Sequence, residues 1–298
     1  MSRHDNIDAF RDAMEKAGPE NGGRKKRSLI SFLKGNFSMK ETKHIVAIVA
    51  ARMTSSRLPG KILKPILGRP ALELMIERVR RVPGLNDIVI ATTINSTDDC
   101  VVDLAKKLGV QYFRGSELDV LSRIVGAGQD FKADVIVEIT SDCIVIDPAA
   151  VQQCIDAYLE GGSDYVGNGI VRTYPVGMDV HVFSTALLAE SERLAKTAEE
   201  HEHVGLYIYR RPEQYRLRCV RAVPNATWPD LHLTLDTQED YLMLKALYEG
   251  LYPQNPTFNT ADIIDFLKHH PEIVQINQQV RRNKSQSEYF AEIKEGKH

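Results

Sequence analysis

The chain has 298 residues, enough for one large domain or two small ones around a real hydrophobic core. Its 38 lysines and arginines stand against 40 acidic residues, a net charge of −2, which excludes the broad basic field of a nucleic-acid binder. No apolar run approaches the roughly 18 residues of a membrane span, the N-terminus is too polar for a secretory signal, and four cysteines without CxxC or zinc-finger spacing read as reduced thiols of a cytoplasmic protein.

Residues 1–43 differ from the rest. Ile7–Lys16 reads as a short helix, residues 18–23 as a breaker cluster, and Arg24-Lys25-Lys26-Arg27 with Leu29–Leu33 as a solvated linker. The segment is an N-terminal extension. From His44 the pattern changes to alternation. Continuous apolar, β-rich runs at His44–Ala50, Asp87–Thr92 and Ala133–Thr140 predict strands buried on both faces, with a short strand at Gln111–Phe113. Between them, helical spacing predicts helices over Pro70–Val82, Thr97–Leu108, Asp119–Phe131 and Pro148–Leu159. Ser96 or Thr97 and Asp147 serve as N-caps, and Gly109 as a C-cap. Strands alternating with helices predict a mostly parallel sheet with helices on both faces.

After Gly162 the rhythm loosens into a smaller mixed region. Short strands are predicted at Ser163–Val166, Met178–Phe183, Tyr215–Val220 and Leu231–Leu235, and helices at Thr185–Ala195, Ala198–Arg210, Gln238–Tyr248 and Thr260–His269. The catalytic domain spans residues 44–276, and 277–298 form a polar tail.

The sharpest motif follows the first strand: Ala50-Ala51-Arg52-Met53-Thr54-Ser55-Ser56-Arg57-Leu58-Pro59-Gly60-Lys61. Arg52, Arg57 and Lys61 are cations, and Thr54, Ser55 and Ser56 are hydroxyls. A triphosphate needs such charge-assisted donors and exposed backbone N–H groups, ideally at the C-terminal edge of a parallel sheet. The motif is neither a Walker A loop nor GxGxxG. Two aspartates end strands far apart in sequence, Asp142 in Thr140-Ser141-Asp142-Cys143 and Asp236 in Leu235-Asp236-Thr237. Mg²⁺ takes hard oxygen ligands, commonly one or two carboxylates with substrate phosphates and waters. Asp236 also precedes a helix, where an aspartate can act only as an N-cap.

The order Ala-x-Arg-x-x-Ser-x-Arg-Leu-Pro-Gly-Lys closely resembles the N-terminal signature of the cytidylyltransferases that make CMP-activated sugars. It is most similar to the spore-coat polysaccharide branch, with the 3-deoxy-manno-octulosonate and acylneuraminate cytidylyltransferases as neighbours. The resemblance runs from about Ile45 to Tyr248. It implies a nucleotide-diphospho-sugar transferase-like α/β fold and transfer of CMP from CTP to a small sugar, sugar-acid or phosphorylated acceptor, with pyrophosphate released. It also implies phosphate contacts from Arg52, Ser55 and Lys61, Mg²⁺ (or Mn²⁺) on Asp142 and Asp236, and a homodimer. Ala50, Ala51, Arg57, Thr92 and Thr93 complete the nucleotide set.

Gly115–Arg123 looks like the family's base-reading segment, with Ser116 and Arg123 as contacts. Asp119 can equally cap the next helix, and Arg123 can pair with Glu117 or Asp119. Tyr174–Phe183 resembles the family's Gly-x-Asp-x-Glu strand, with Asp179 matching and His181 where the family usually has Glu. Glu202 and His203 match its Glu-His-Val-Thr segment, and Gly205 replaces the Thr. Asp179, His181, Glu202 and His203 are therefore the acceptor candidates. The arginines at 210, 211, 216, 218 and 221 are either an anion site or a solvated face. Two other readings share the architecture: a metal-dependent glycosyltransferase, disfavoured by the missing Asp-x-Asp pair, and a non-catalytic nucleotide-binding protein.

Overall fold

The computed structural model describes residues 43–281. The helix expected at Ile7–Lys16, the basic run at Arg24–Arg27 and the tail from Arg282 onward lie outside them.

Four strands form the parallel half of the sheet: β1 (Ile45–Ala50), β4 (Asp87–Thr93), β5 (Gln111–Gly115) and β6 (Val135–Thr140). β1 lies between β4 and β6, with Ile48 opposite Val89 on one side and Glu138 on the other. Five of its six residues are buried, as expected for a strand covered on both faces. The full sheet runs β5-β4-β1-β6-β8-β7-β9, where β7 is Tyr165–Gly167, β8 His181–Ser184 and β9 Leu217–Cys219. β8 enters antiparallel to β6 and β7, so the second half is mixed. A two-residue hairpin, β2 (Pro65–Ile66) with β3 (Arg69–Pro70), follows the cationic loop.

Both faces are covered. On one, Ala47, Val49, Ile90 and Val137 pack among residues of α1 (Ala71–Val79), α2 (Asp99–Leu108), α4 (Pro148–Leu159), α8 (Gln238–Leu251) and α9 (Thr260–His269). On the other, Val46, Ile48, Val89, Ile136 and Phe183 pack with α3 (Val120–Asp130), α5 (Thr185–Leu194) and the short α7 (Leu206–Tyr209). Alternate strand residues serve the two layers because successive side chains point to opposite faces. The predicted α/β sheet with helices on both faces is the observed one. Asp147 caps α4 through the Ala149 N–H at 2.9 Å, and Gly109 ends α2 in the left-handed conformation. α2 is capped differently from the expectation, because Ser96–Asp98 form a 3₁₀ turn ahead of it.

Two predicted elements are corrected. Residues 231–235 are extended but form no strand of the sheet. They meet one loop through a single bridge, Val176 with His232, and another through Leu235 N–H to Asp142 C=O at 2.9 Å. The helix predicted over Ala198–Arg210 is broken into α6 (Ala198–Glu202) and α7, because Gly205 adopts φ 82°. A last short helix, α10 (Pro271–Gln275), follows α9.

Candidate active site

β1, β4 and β6 run parallel, so the loops after them share one edge of the sheet. The loop after β1 is folded back on itself. Gly60 N–H donates to Met53 C=O at 2.8 Å, Lys61 N–H donates to Leu58 C=O at 3.2 Å, and the Leu58 side chain is buried. Asp98 braces it from beneath. This fully buried carboxylate accepts the Met53 N–H at 2.8 Å through one oxygen, and the Thr93 N–H at 3.2 Å and hydroxyl through the other. Glu117 braces the outer side. It accepts from the Thr54 hydroxyl and from Asn95 Nδ2 at 2.6 Å, and lies 3.7 Å from Arg52 Nη1. The Thr54 hydroxyl foremost, with Asn95 and Arg52, holds the Glu117 carboxyl below the usual range.

The centre of the edge is a charge cluster. Lys61 Nζ lies 2.8 Å from Asp236 Oδ1 and 3.8 Å from Asp142 Oδ2, and Arg57 Nη2 lies 3.0 Å from Asp236 Oδ2. The side chains of Lys61, Asp142 and Asp236 are 13%, 20% and 16% exposed, so solvent still reaches all three. Burial works against the Lys61 charge, but Asp142 and Asp236 outweigh it and hold the lysine above its ordinary pKa. Burial and the Asp236 charge push the Asp142 carboxyl above its usual range, against the pull of Lys61. Burial likewise raises the Cys143 thiol well above its ordinary value.

Asp236 does not cap the helix that follows. Thr237 caps α8 and Asp240 closes the capping box, which leaves the Asp236 carboxylate to the cluster. Among the described residues no three His, Cys, Asp or Glu side chains converge on a metal position. Two carboxylates facing one cation position fit a hard ion that takes its remaining ligands from phosphates and water.

Other predicted residues sit differently. Ala50 C=O and Ala51 N–H are engaged by Ser141 and Ala91, so these backbone groups extend the ladder rather than face a ligand. The Thr93 hydroxyl is held by Asp98, whereas the Thr92 hydroxyl is buried without a hydrogen-bond partner among the described residues. Ser55 is half-buried in the loop. Ser116 is exposed and accepts the Asp119 N–H at 3.1 Å, while Asp119 caps α3 through Ser122 N–H at 2.8 Å. Arg123 is buried, donates to the Ser116 and Glu117 carbonyls, and is brought down to about 10 by burial. Its guanidinium thus ties the base-reading segment to the start of α3.

Asp179 forms a bidentate pair with Arg172 at 2.7 and 3.3 Å and accepts the Gly177 N–H at 3.0 Å. Burial alone would raise its pKa, but Arg172 carries it below the usual range. His181 Nδ1 lies 2.9 Å from the buried Glu138 carboxylate. Glu202 and His203 are exposed at the end of α6. The arginine cluster is largely paired off: Arg210 with Glu199, Arg211 with Glu200, Arg216 with Asp164 and Arg218 with Glu160.

Asn95, Arg172 and Glu138 are supporting residues the sequence reading missed, whereas Asp98 and Glu117 stood in its resembling segments without their role as braces, Glu117 only as a possible partner of Arg123. Only Glu138 carried a signal of its own, a carboxylate inside an otherwise apolar strand.

A parallel sheet whose edge carries a cationic loop after its first strand and two aspartates from distant segments defines an α/β protein of the nucleotidyltransferase kind. Within that class the chain belongs to the cytidylyltransferase family, whose model matches residues 46–289. It is 34% identical over 233 residues, 76% of this chain and 95% of the relative, to the spore coat polysaccharide biosynthesis protein SpsF of Bacillus subtilis. The 3-deoxy-manno-octulosonate cytidylyltransferase of Solibacter usitatus is 28% identical over 185 residues, 56% of this chain and 71% of that one. A cytidylyltransferase structure from Leptospira borgpetersenii superposes with a TM-score of 0.75 at 30% identity, covering 80% of this chain and all of that one. A CMP:2-keto-3-deoxy-manno-octonic acid synthetase solved with CTP shares the fold, with a TM-score of 0.55 at 18% identity over 70% of this chain and 99% of that one. Among the described residues no helix is long and apolar enough to cross a membrane.

Proposed function

We propose that the protein transfers CMP from CTP to a small sugar, sugar-acid or phosphorylated acceptor and releases pyrophosphate, supplying an activated building block for a surface polysaccharide or glycoconjugate. The observation that carries this is the meeting of Lys61 and Arg57 from the loop with Asp142 and Asp236 at one sheet edge, in a chain of the cytidylyltransferase family. Arg52, Ser55, Arg57 and Lys61 receive the triphosphate, with Glu117 and Asp98 holding the loop in the receiving shape. Asp142 and Asp236 would hold Mg²⁺ (or Mn²⁺), which would supply charge neutralisation at the phosphates. The chain's own part in the displacement is positioning and electrostatic. The acceptor side lies with Asp179 and His181, positioned by Arg172 and Glu138.

The reading includes a cytoplasmic location and the homodimer that the resemblance implies, the latter checked by light scattering. The reaction is tested by pyrophosphate release with each of the four nucleoside triphosphates and Mg²⁺ against a panel of sugars, sugar acids, sugar phosphates and phosphorylated small acids. CTP-dependent release with one acceptor is the expected result, abolished in Arg52→Ala and Asp142→Ala protein that still folds. Release at wild-type rate by Asp142→Ala removes the metal assignment. Failure to bind CTP removes the reading.

A further inference from the structure

Lys61 is placed unusually for a phosphate-binding residue. Its ammonium does not project from the loop toward solvent. It is turned inward, 2.8 Å from one carboxylate and 3.8 Å from the other, with 13% of its side chain exposed. That is the position a cation between Asp142 and Asp236 would take. Arg57 reaches the second Asp236 oxygen at 3.0 Å, so both oxygens of this carboxylate face a loop cation. The backbones that carry the aspartates are held independently of the loop. Asp236 directly precedes the capped start of α8, and the Asp142 carbonyl accepts the Leu235 N–H at 2.9 Å. The cations ride on a loop tied to the sheet edge by the Met53 N–H on Asp98, closed on itself by the Gly60 N–H on the Met53 carbonyl, and anchored by the buried side chains of Leu58 and Ile62. One pair of anions thus faces one set of cations that, on the proposed function, also serves the triphosphate.

We propose that Lys61, assisted by Arg57, acts as the resident counter-ion of the Asp142–Asp236 pair in the nucleotide-free protein, so that a divalent cation is excluded until a triphosphate draws the two side chains away. The inference rests on the nucleotidyltransferase reading above and deepens it by fixing the order of binding. Two carboxylates left side by side repel each other and attract any available cation. An ammonium already between them removes that attraction. Phosphate oxygens compete for the same ammonium, and their arrival returns both carboxylates to ligand duty. The protein then takes metal and nucleotide together, and free metal alone is not held.

The test is Mn²⁺ binding to the full-length, nucleotide-free protein, with free Mn²⁺ followed by electron paramagnetic resonance. Wild-type protein leaves Mn²⁺ free over a range in which Lys61→Met binds one equivalent at least about tenfold more tightly. The gain disappears in Lys61→Met/Asp236→Asn. Arg57→Ala, on the exposed part of the loop, gives a smaller gain in the same direction and keeps the test decisive if Lys61→Met does not fold. Equal Mn²⁺ affinity in wild type and in the folded single variants overturns the proposal, as does tight binding of one equivalent by the wild type. A parallel titration of CTP with Mg²⁺ separates the two failures. Unchanged Mn²⁺ affinity with normal CTP binding removes only the Lys61 inference, whereas no CTP binding removes the function on which it rests.

Discussion

Asp98 holds two elements with one carboxylate, the end of β4 through Thr93 and the start of the cationic loop through the Met53 N–H. Removing it leaves buried donors unpaired. Asp98→Ala is expected to cost about 2–3 kcal/mol of stability and at least about tenfold in kcat/KM for CTP, because the loop loses its anchor. Urea melts and steady-state kinetics read the two effects, and a variant of wild-type stability would show that Asp98 is no brace. Asp142 illustrates the opposite case, a carboxylate that the proposed function needs and whose burial costs stability. Its folded pKa lies above the unfolded value, chiefly through burial, so its ionised form disfavours the fold at neutral pH. Asp142→Asn should stop turnover yet raise the stability of the ligand-free protein by about 1 kcal/mol at pH 7. The gain should shrink as pH falls through the folded pKa, where the wild-type carboxyl is also neutral. A lower melting midpoint for Asp142→Asn would mean that attraction to Lys61 exceeds the burial penalty. At this scale the sequence displayed the charged residues of the sheet edge, Arg52, Arg57, Lys61, Asp142 and Asp236, because their types and order are what the proposed chemistry requires. It hid the braces, because Asp98 and Glu117 act through backbone and loop contacts that no local pattern encodes.

The elements read well where burial is uniform and poorly where it is not. β1, β4 and β6 announce themselves as apolar runs because both sheet faces are covered. Residues 231–235 alternate leucines with His232 and Thr234, a pattern that predicts a half-buried strand, but their partners are loops and the fold made a clamp. That clamp lies against Gly177, whose φ is 101° and whose missing Cβ would stand 2.7 Å from the Leu233 carbonyl carbon. Gly177→Ala therefore pushes on backbone that leads directly to Asp236. We expect a loss of about 2 kcal/mol or more together with a fall in turnover, measured by thermal melts and CTP-dependent pyrophosphate release. Gly162 provides the control. It too has a positive φ, 79°, but nothing lies within 4 Å of an added Cβ, so Gly162→Ala should carry backbone strain alone and leave turnover intact. Equal losses of turnover in the two variants would discard the clamp.

For the whole molecule, the distribution of charge sets the pH range of stability. Asp179 is held below its ordinary pKa by Arg172 against the effect of burial, and Asp164 by Arg216. Carboxyls with lowered folded pKa values contribute stability that is present above their unfolded values, 3.8 for aspartate, and is lost as pH falls through the folded ones. Lys61, with a raised folded value, contributes below its unfolded 10.5 and loses that contribution as pH rises through the folded value. Stability should thus fail first in acid, and Arg172→Met should move the acid transition to higher pH by about half a unit or more, followed by circular dichroism. An unchanged acid midpoint would show that the Arg172–Asp179 pair carries no net stability.

The Leu235–Asp142 backbone bond also bears on the order in which the protein is made. The cationic loop and the first carboxylate are complete once the ribosome has passed β6, but the second carboxylate arrives only with residue 236. A chain terminated before residue 236 lacks half of the anionic pair. On the proposed function, turnover is thereby reserved for chains whose synthesis has run through the mixed half of the fold.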